Sequence, residues 1–320
     1  MTGREITGRN AGPWRDGGPS CRRLDGDRWH FAHGPIDLII DVDADDAVRK
    51  AAIDACWRDF QEVLPSLVAE LPSLKQAAQR HPGVVGPVAG RMVSACAPFA
   101  DERFITPMAA VAGAVADHLL GAFERPGVRR AFINNGGDIA LLLTPGTQYR
   151  VGIWSQIERL ARRAESDTRG ALDALFSIGH ASPVRGVATS GWRGRSQSLG
   201  IADSVTVLAR SAAAADAAAT LIANAVDCDA PGIVRVPAVQ VKDDSDLGER
   251  LVTVEVPMLP AAAIADALAS GRAAAERWRD RGLVCAAALF LQGRCEIVGP
   301  AEVAVATPVG DGSAGLGVAA

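Results

Sequence analysis

The sequence is poor in lysine and in long apolar runs, and each shortage argues against a class of protein. Its lysines are Lys50, Lys75 and Lys242, its arginines are scattered, and its net charge is −4. Proteins that bind nucleic acid usually carry a clustered basic patch, so we expect no nucleic-acid partner. The stretch "LVCAAALFL" is too short to cross a bilayer, and residues 1–18 lack the apolar core of a secretion signal. We therefore expect a cytoplasmic protein with no membrane partner.

Standard metal and nucleophile motifs are also missing. The six cysteines form no C-x-x-C pair and have no spacing typical of zinc sites. With 320 residues and 48% apolar content, the chain can bury a core without disulfides, so we predict reduced cysteines within that core. The sequence contains no G-x-S-x-G, H-E-x-x-H or G-x-x-x-x-G-K-[ST] motif. Several familiar enzyme classes are therefore excluded.

Helical and strand-like patterns alternate without a regular βαβ rhythm, which predicts an α+β fold. Residues 1–27 and 307–320 are rich in glycine and lack periodicity, so we expect a disordered N-terminal segment and a flexible tail around one domain, 28–306, with two lobes as an alternative. Proline should end a first helix near residue 64 and leave a short helical stretch between Pro65 and Pro72. Thr106 and Pro107 predict a capped helix start.

The helical stretch Arg210–Val226 carries a line of polar side chains on an otherwise apolar surface. Asp216, Thr220 and Asn224 are spaced by four residues and share one helix face. A buried carboxylate must be paired, hydrogen-bonded or bound to a cation, and the oxygens of Asp216 and Thr220 suit Mg²⁺. The alternative is that Asp216 pairs with an arginine while Thr220 bonds to the carbonyl of residue 216.

Two glycine-rich stretches are candidate ligand loops. "FINNGGDIALLL" predicts a hairpin whose turn lets backbone approach an anion, with Asp138 at its rim. "VATSGWRGRSQSLG" combines small donors with Arg195, which suits a phosphate or carboxylate, or forms an ordinary solvated loop. His180 precedes this loop and is a candidate general base, although a single histidine is more often structural. The candidate ligand-binding residues are Asn134, Asn135, Gly136, Gly137, Thr189, Ser190, Gly191, Ser196 and Ser198.

These motifs occur in a characteristic order. "NNGGDIA", "ATSG", "DSVTVLA" and "ADAAAT" together resemble the FAD:protein FMN transferase (ApbE-like) superfamily. The stretches "GPIDLII", "FITPMAAVAGAVAD", "SLGIADSVTV", "ANAVD" and "DSDLGERLVTVEV" resemble an uncharacterised branch of it. The resemblance implies an α+β fold whose mixed and antiparallel sheets pack with helices around a central cleft. It also implies that this cleft binds FAD or FMN and Mg²⁺.

The resemblance assigns roles to particular residues. Asp216 and Thr220 match the metal-binding Asp and Thr, and a backbone carbonyl near Ala109 or Ala110 would be a third ligand. Asn134 and the Gly136-Gly137-Asp138 turn match the nucleotide cleft, and Thr189, Ser190 and Gly191 match the loop beside it.

The sequence also departs from the transferase pattern. "GWRGRSQSLG" lacks the histidine and proline that follow T-S-G in the transferases, and Ala112-Gly113 stands where they carry Lys-Gly. Three hypotheses stay open: Mg²⁺-dependent FMN transfer to a protein acceptor, catalysis on a small carboxylate-bearing metabolite by Asp138, His180 and Arg195, and a binding module without catalysis.

Overall fold

The fold is a large antiparallel sheet with helices on one face and a small sheet on the other. The computed structural model describes residues 18–80, 83–153, 174–299 and 318–319. Nine strands form the large sheet in the order β1-β2-β3-β4-β5-β8-β9-β12-β13, and each neighbouring pair is antiparallel. Strands β14, β6 and β7 form the small sheet, in which β14 pairs with β6 in parallel. Strands β10 and β11 form a separate antiparallel ribbon. The predicted α+β class with mixed and antiparallel sheets is confirmed.

The strand bounds follow the chain in order. They are β1 Ser20–Arg23, β2 Trp29–His33, β3 Ile36–Asp43, β4 Arg130–Asn135, β5 Asp138–Leu143, β6 Gln148–Ile153, β7 Ala174–Gly179, β8 Gly186–Ser190, β9 Ser204–Ala209, β10 Val234–Pro237, β11 Leu251–Glu255, β12 Ala286–Leu291, β13 Arg294–Val298 and β14 Val318–Ala319.

Six α-helices are present among the described residues. They are α1 Asp46–Leu74, α2 Pro87–Cys96, α3 Val111–Leu120, α4 Ala212–Ala225, α5 Ala238–Val241 and α6 Ala261–Asp280. No helix in this part of the chain is long and apolar enough to cross a membrane.

Helix α1 differs from the sequence prediction because it continues through both prolines. Pro65 and Pro72 lie inside one helix rather than on either side of a second one. Val63 and Leu67, which flank Pro65, are buried, and so is Leu74 after Pro72. We attribute the continuity to this burial, since packing of an apolar face routinely overrides the local cost of proline.

The predicted helix start at Thr106 is also revised. A 3-10 helix, Pro107–Ala110, precedes α3, and the side chain of Thr106 makes no capping hydrogen bond. Thr106 instead donates to a carboxylate oxygen of Asp246, a contact between residues far apart in the sequence.

Strand β1 lies within residues 1–27 and pairs with β2, and β14 lies within residues 307–320 and pairs with β6. The prediction for the cysteines holds only in part. The cysteines are free, as expected, but only Cys56 and Cys96 are buried, while Cys21 and Cys295 are exposed.

Alternation along the strands decides which side chains meet the helices. Val205 and Val207 of β9 belong to the core shared with α4, whereas Leu208 belongs to the core shared with the small sheet. Successive side chains of a strand point to opposite faces. By the same alternation, Asp138 shares the helix face with Ala140 on β5.

Candidate functional site

Helix α4 carries a line of polar side chains, Asp216, Thr220 and Asn224, along an otherwise buried helix, and we call this line the polar stripe. Ser211 caps the N-terminus of α4 by accepting a hydrogen bond from the amide of Ala214 at 3.2 Å. Asp216, Thr220 and Asn224 are partly exposed, while most residues between them are buried. The small residues allow α4 to pack tightly on β8, β9 and α3. The stripe is therefore accessible along a helix that is otherwise enclosed.

The carboxylate of Asp216 is held by backbone amides. Its Oδ2 accepts a hydrogen bond from Gly113 N at 3.0 Å, and the amide of Ala112 also bonds to it. Burial raises the pKa of Asp216, and the nearby carboxylate of Asp138 raises it further. Among the described residues, no arginine, lysine or histidine forms an ion pair with Asp216. The predicted alternative of an arginine pair is therefore not found in this part of the chain.

The other two members of the stripe differ from each other. The side chain of Thr220 makes no hydrogen bond within the described ranges, so the proposed bond to the carbonyl of residue 216 is absent. Asn224 has a structural role, because its Oδ1 accepts hydrogen bonds from Ser198 Oγ at 3.1 Å and Leu199 N at 2.9 Å. Ser198 is 2% exposed. Asn224 and Ser198 thus anchor the 189–200 loop to α4, where this loop consists of the last two residues of β8 and the connection that follows them.

The predicted hairpin at "NNGGD" is confirmed. Asn135 pairs with Asp138 across a turn of Gly136 and Gly137, whose φ angles are +64° and +114°. Asn134 Oδ1 accepts from Gly137 N at 2.8 Å, and Asn135 Nδ2 donates to the carbonyl of Ala112 at 3.1 Å. The two asparagines therefore fix the turn, and the second one joins it to the start of α3.

Gly136 provides the space that Arg195 fills. A Cβ atom at Gly136 would lie 1.8 Å from Nη2 of Arg195. The sequence predicts that a ligand approaches this glycine closely, but the guanidinium of Arg195 occupies that space. Arg195 is exposed, so its charge remains available to an anion in solution.

Asp138 lies between the turn and the loop. Burial raises its pKa to about 7, against the opposing effects of the Thr189 amide and the positive charge of Arg195. Its Oδ1 accepts from Thr189 N at 3.2 Å. A carboxyl group with such a pKa exchanges its proton near neutral pH, which suits general acid–base chemistry.

The 189–200 loop contributes fewer functional groups than its composition suggested. Thr189 Oγ1 bonds to Thr206 Oγ1 at 2.8 Å, on the sheet face opposite α4. Gly191 lies close to backbone, since a Cβ there would be 2.4 Å from the carbonyl oxygen of Asp203. Ser190 is partly exposed and Ser196 is exposed. No site contact of these two serines is present among the described residues.

His180 lies away from the site. Its Nδ1 is 2.8 Å from the carbonyl oxygen of Leu143 at the end of β5, whereas Asp138 begins that strand. Asp138 and Leu143 are the two ends of a six-residue strand, and its five steps of about 3.4 Å place them about 17 Å apart. We therefore remove His180 from the candidate catalytic group.

Sequence reasoning missed three residues that support the site. Asp117 on α3 accepts hydrogen bonds from the first amides of α4, and Asp246 fixes Thr106 ahead of α3. Gly113 brings α3 against α4. Of these three residues, only Asp117 could have been found from the sequence, because it lies one helical turn after Gly113.

A cavity of about 300 Å³ lies between α1, the start of α2 and His118, and none of the candidate site residues lines it.

Comparisons with known proteins place the chain in a family. A model of the family described as AbpE bacteria matches residues 21–297. The UPF0280 protein of Methanosphaerula palustris is 34% identical over 181 residues, which cover 56% of this chain and 68% of the relative. That of Methanothermobacter thermautotrophicus is 39% identical over 143 residues, 44% of this chain and 50% of the relative. The chain thus spans between half and about two thirds of these two relatives.

Two solved structures are also similar. The ApbE protein of Thermotoga maritima shares 14% identity with a TM-score of 0.44, covering 87% of this chain and 96% of that one. A variant of the flavin transferase ApbE from Vibrio cholerae shares 15% identity with a TM-score of 0.30, covering 82% and 76%. The family assignment rests on the sequence match, which agrees with the ApbE-like resemblance of the motifs. Since that match runs from residue 21 to residue 297, the chain belongs to the family described as AbpE bacteria.

Proposed function

We propose that this protein is an enzyme that binds a small anionic ligand, with a flavin nucleotide as the first candidate, beside α4 and the Gly136-Gly137 turn. A divalent cation on Asp216 and Thr220 would accompany that ligand. One observation carries the proposal: the carboxylate of Asp216 is held by amides, has no basic partner among the described residues and shares its surroundings with Asp138. Two adjacent carboxylates, of which Asp216 lacks a basic partner, favour a bound cation.

The residues fit Mg²⁺ with few protein ligands. Asp216 offers a carboxylate, and Thr220 offers a hydroxyl without an intramolecular partner in the described structure. No group of three or more His, Cys, Asp or Glu residues in the described ranges is arranged to hold a metal ion. Mg²⁺ commonly binds through one or two carboxylates and takes its remaining ligands from water and substrate phosphates. A backbone carbonyl near Ala109 or Ala110 is the proposed third protein ligand.

The chain's own groups suggest how an anionic ligand would be oriented. Arg195 would attract a phosphate or carboxylate at the turn. Asp138 would accept or donate a proton there, since its pKa lies near neutrality. When bound, Mg²⁺ would neutralise a pyrophosphate group during transfer to an acceptor hydroxyl.

The first test is incubation of the purified protein with FAD, Mg²⁺ and candidate protein acceptors. Release of AMP, and its loss in Asp216→Asn, would support FMN transfer to a protein. If no acceptor yields AMP, the transfer reaction is ruled out. Tight binding without turnover, measured by calorimetry over flavins and nucleotides, would indicate a binding module instead.

A second candidate is a reaction on a small carboxylate-bearing metabolite. The observation that favours this candidate is that the guanidinium of Arg195 lies against Gly136, in the region where the transferase motif has a histidine. A guanidinium binds a carboxylate through two parallel hydrogen bonds. The mass and visible spectrum of any ligand that copurifies separate the two candidates, because only a flavin absorbs visible light.

A further inference from the structure

Helix α3 places a carboxylate at the N-terminus of α4, and α4 places a carboxylate in the first turn of α3. Asp117 on α3 accepts hydrogen bonds from Ala212 N at 2.9 Å and Ala213 N at 2.8 Å, the first two amides of α4. In return, Asp216 on α4 accepts from Gly113 N at 3.0 Å, in the first turn of α3. We call this arrangement the reciprocal clasp. Each carboxylate lies at the positive end of the other helix, where negative charge is stabilised.

The clasp leaves little room for independent motion of the two helices. A Cβ atom at Gly113 would lie 2.3 Å from the carbonyl oxygen of Ala212. The backbones of α3 and α4 are therefore in direct contact between the two carboxylates. A shift of α4 that broke the Asp117 contacts would also move Asp216 away from the amide of Gly113.

Asp117 is not needed merely to cap α4. Ser211 already caps that helix through its hydrogen bond from Ala214 N. Asp117 adds a link between two helices, and it does so with a side chain from outside α4. The link holds α4 at the place where the amides of Gly113 and Ala112 bind the carboxylate of Asp216.

We propose that Asp117 is a positioning residue for Asp216 and sets the affinity of the cation site. The inference rests on the cation site of the proposed function. Partners of metal ligands in the outer shell typically change metal affinity by about 10- to 100-fold when they are substituted. We expect a loss in that range for Asp117→Asn, because an amide group faces the α4 amides with one accepting oxygen fewer.

The experiment measures Mn²⁺ binding to the full chain by electron paramagnetic resonance, since Mn²⁺ accepts the same oxygen ligands as Mg²⁺. Asp227→Asn is the matched control: it removes a carboxylate that pairs with Arg235 beyond the other end of α4 and leaves the clasp intact. Weaker binding in Asp117→Asn with unchanged binding in Asp227→Asn supports the inference. Equal loss in both variants, or no loss in either, overturns it. Absence of Mn²⁺ binding in the wild type would instead contradict the proposed function itself.

A measurement on the wild type decides the matter if Asp117→Asn fails to fold. Coupling is reciprocal, so a cation that depends on the clasp must also stabilise it. Mg²⁺ should therefore slow hydrogen exchange at the amides of Ala212 and Ala213 as well as at that of Gly113. Slower exchange at Gly113 alone would show that Asp117 does not act on the cation site.

Discussion

Asp138 at the start of β5 and Asp216 on α4 are close enough for the charge of the first to raise the pKa of the second. The two residues are 78 positions apart in the numbering, 216 minus 138, and belong to different layers of the fold. Asp138 belongs to the large sheet and Asp216 to the helices packed on it. The fold therefore brings two carboxyl groups with raised pKa values together at one place.

The stability that Asp138 contributes in the absence of a divalent cation should decrease as the pH rises through the acidic range. Folding raises the pKa of Asp138 from 3.8 to about 7, so the folded state binds this proton more tightly than the unfolded state. The associated stability is complete below pH 3.8 and is lost as the pH approaches 7. Asp138→Asn should reduce the decrease.

The measurement is chemical denaturation of wild type and Asp138→Asn at several pH values, with a chelator present. Asp41 and Asp227 also have pKa values raised by burial, Asp138 does not contribute to either rise, and both residues therefore serve as an internal control. An identical pH dependence in the two proteins would show that Asp138 does not titrate as described.

Gly136→Ala should weaken binding of an anionic ligand by displacing Arg195. The new methyl group would overlap Nη2 of Arg195, which would move away from Asp138. Loss of one charged hydrogen bond of about 1.5 to 3 kcal/mol corresponds to roughly a tenfold to hundredfold loss of affinity. Calorimetry with FAD and with inorganic pyrophosphate provides the measurement.

Gly146→Ala is the control for the backbone cost of that substitution. Gly146 also has a positive φ, +82°, but no atom lies within 4 Å of its Cβ position. Both variants should lose about 1 kcal/mol of stability from the left-handed conformation. If Gly146→Ala weakens ligand binding as much as Gly136→Ala does, the contact between Arg195 and Gly136 has no part in ligand binding.

Asp246→Ala should destabilise the protein, whereas Asp244→Ala in the same loop should not. Asp246 accepts the hydrogen bond of Thr106, which is 2% exposed, so its removal leaves a buried hydroxyl without a partner. The expected cost is about 1 to 3 kcal/mol. Asp244 pairs with Lys75 at an exposed position, which is worth roughly 0 to 1 kcal/mol. Equal free energies of unfolding for the two variants would contradict the assignment.

Local patterns predicted α4, the "NNGGD" hairpin and the α+β class correctly. The hairpin depends on two glycines that tolerate positive φ, and α4 depends on a run of small residues after a serine cap. Such signals lie within a few residues of each other and are readable without the rest of the chain.

The unpredicted features depend on contacts between distant segments. Asp117 meets Ala212, and Thr106 meets Asp246 across 140 positions, and neither partner is indicated by spacing. The same holds for Arg195, because its contact with Gly136 forms only when the fold brings the 189–200 loop next to the Gly136-Gly137 turn. The prediction that proline ends the first helix is wrong, because burial of the residues on either side of the prolines outweighs the local cost of proline in a helix.

The most direct test of the cation site is Mn²⁺ binding to the wild type and to Asp216→Asn. Asparagine keeps an oxygen for the amide of Gly113 but removes the negative charge. We expect the wild type to bind Mn²⁺ and the variant to lose more than about 100-fold in affinity, beyond the range seen for outer-shell partners. Asp227→Asn, which removes a carboxylate paired with Arg235 beyond the end of α4, should bind like the wild type. Equal Mn²⁺ affinity in wild type and Asp216→Asn would contradict the account.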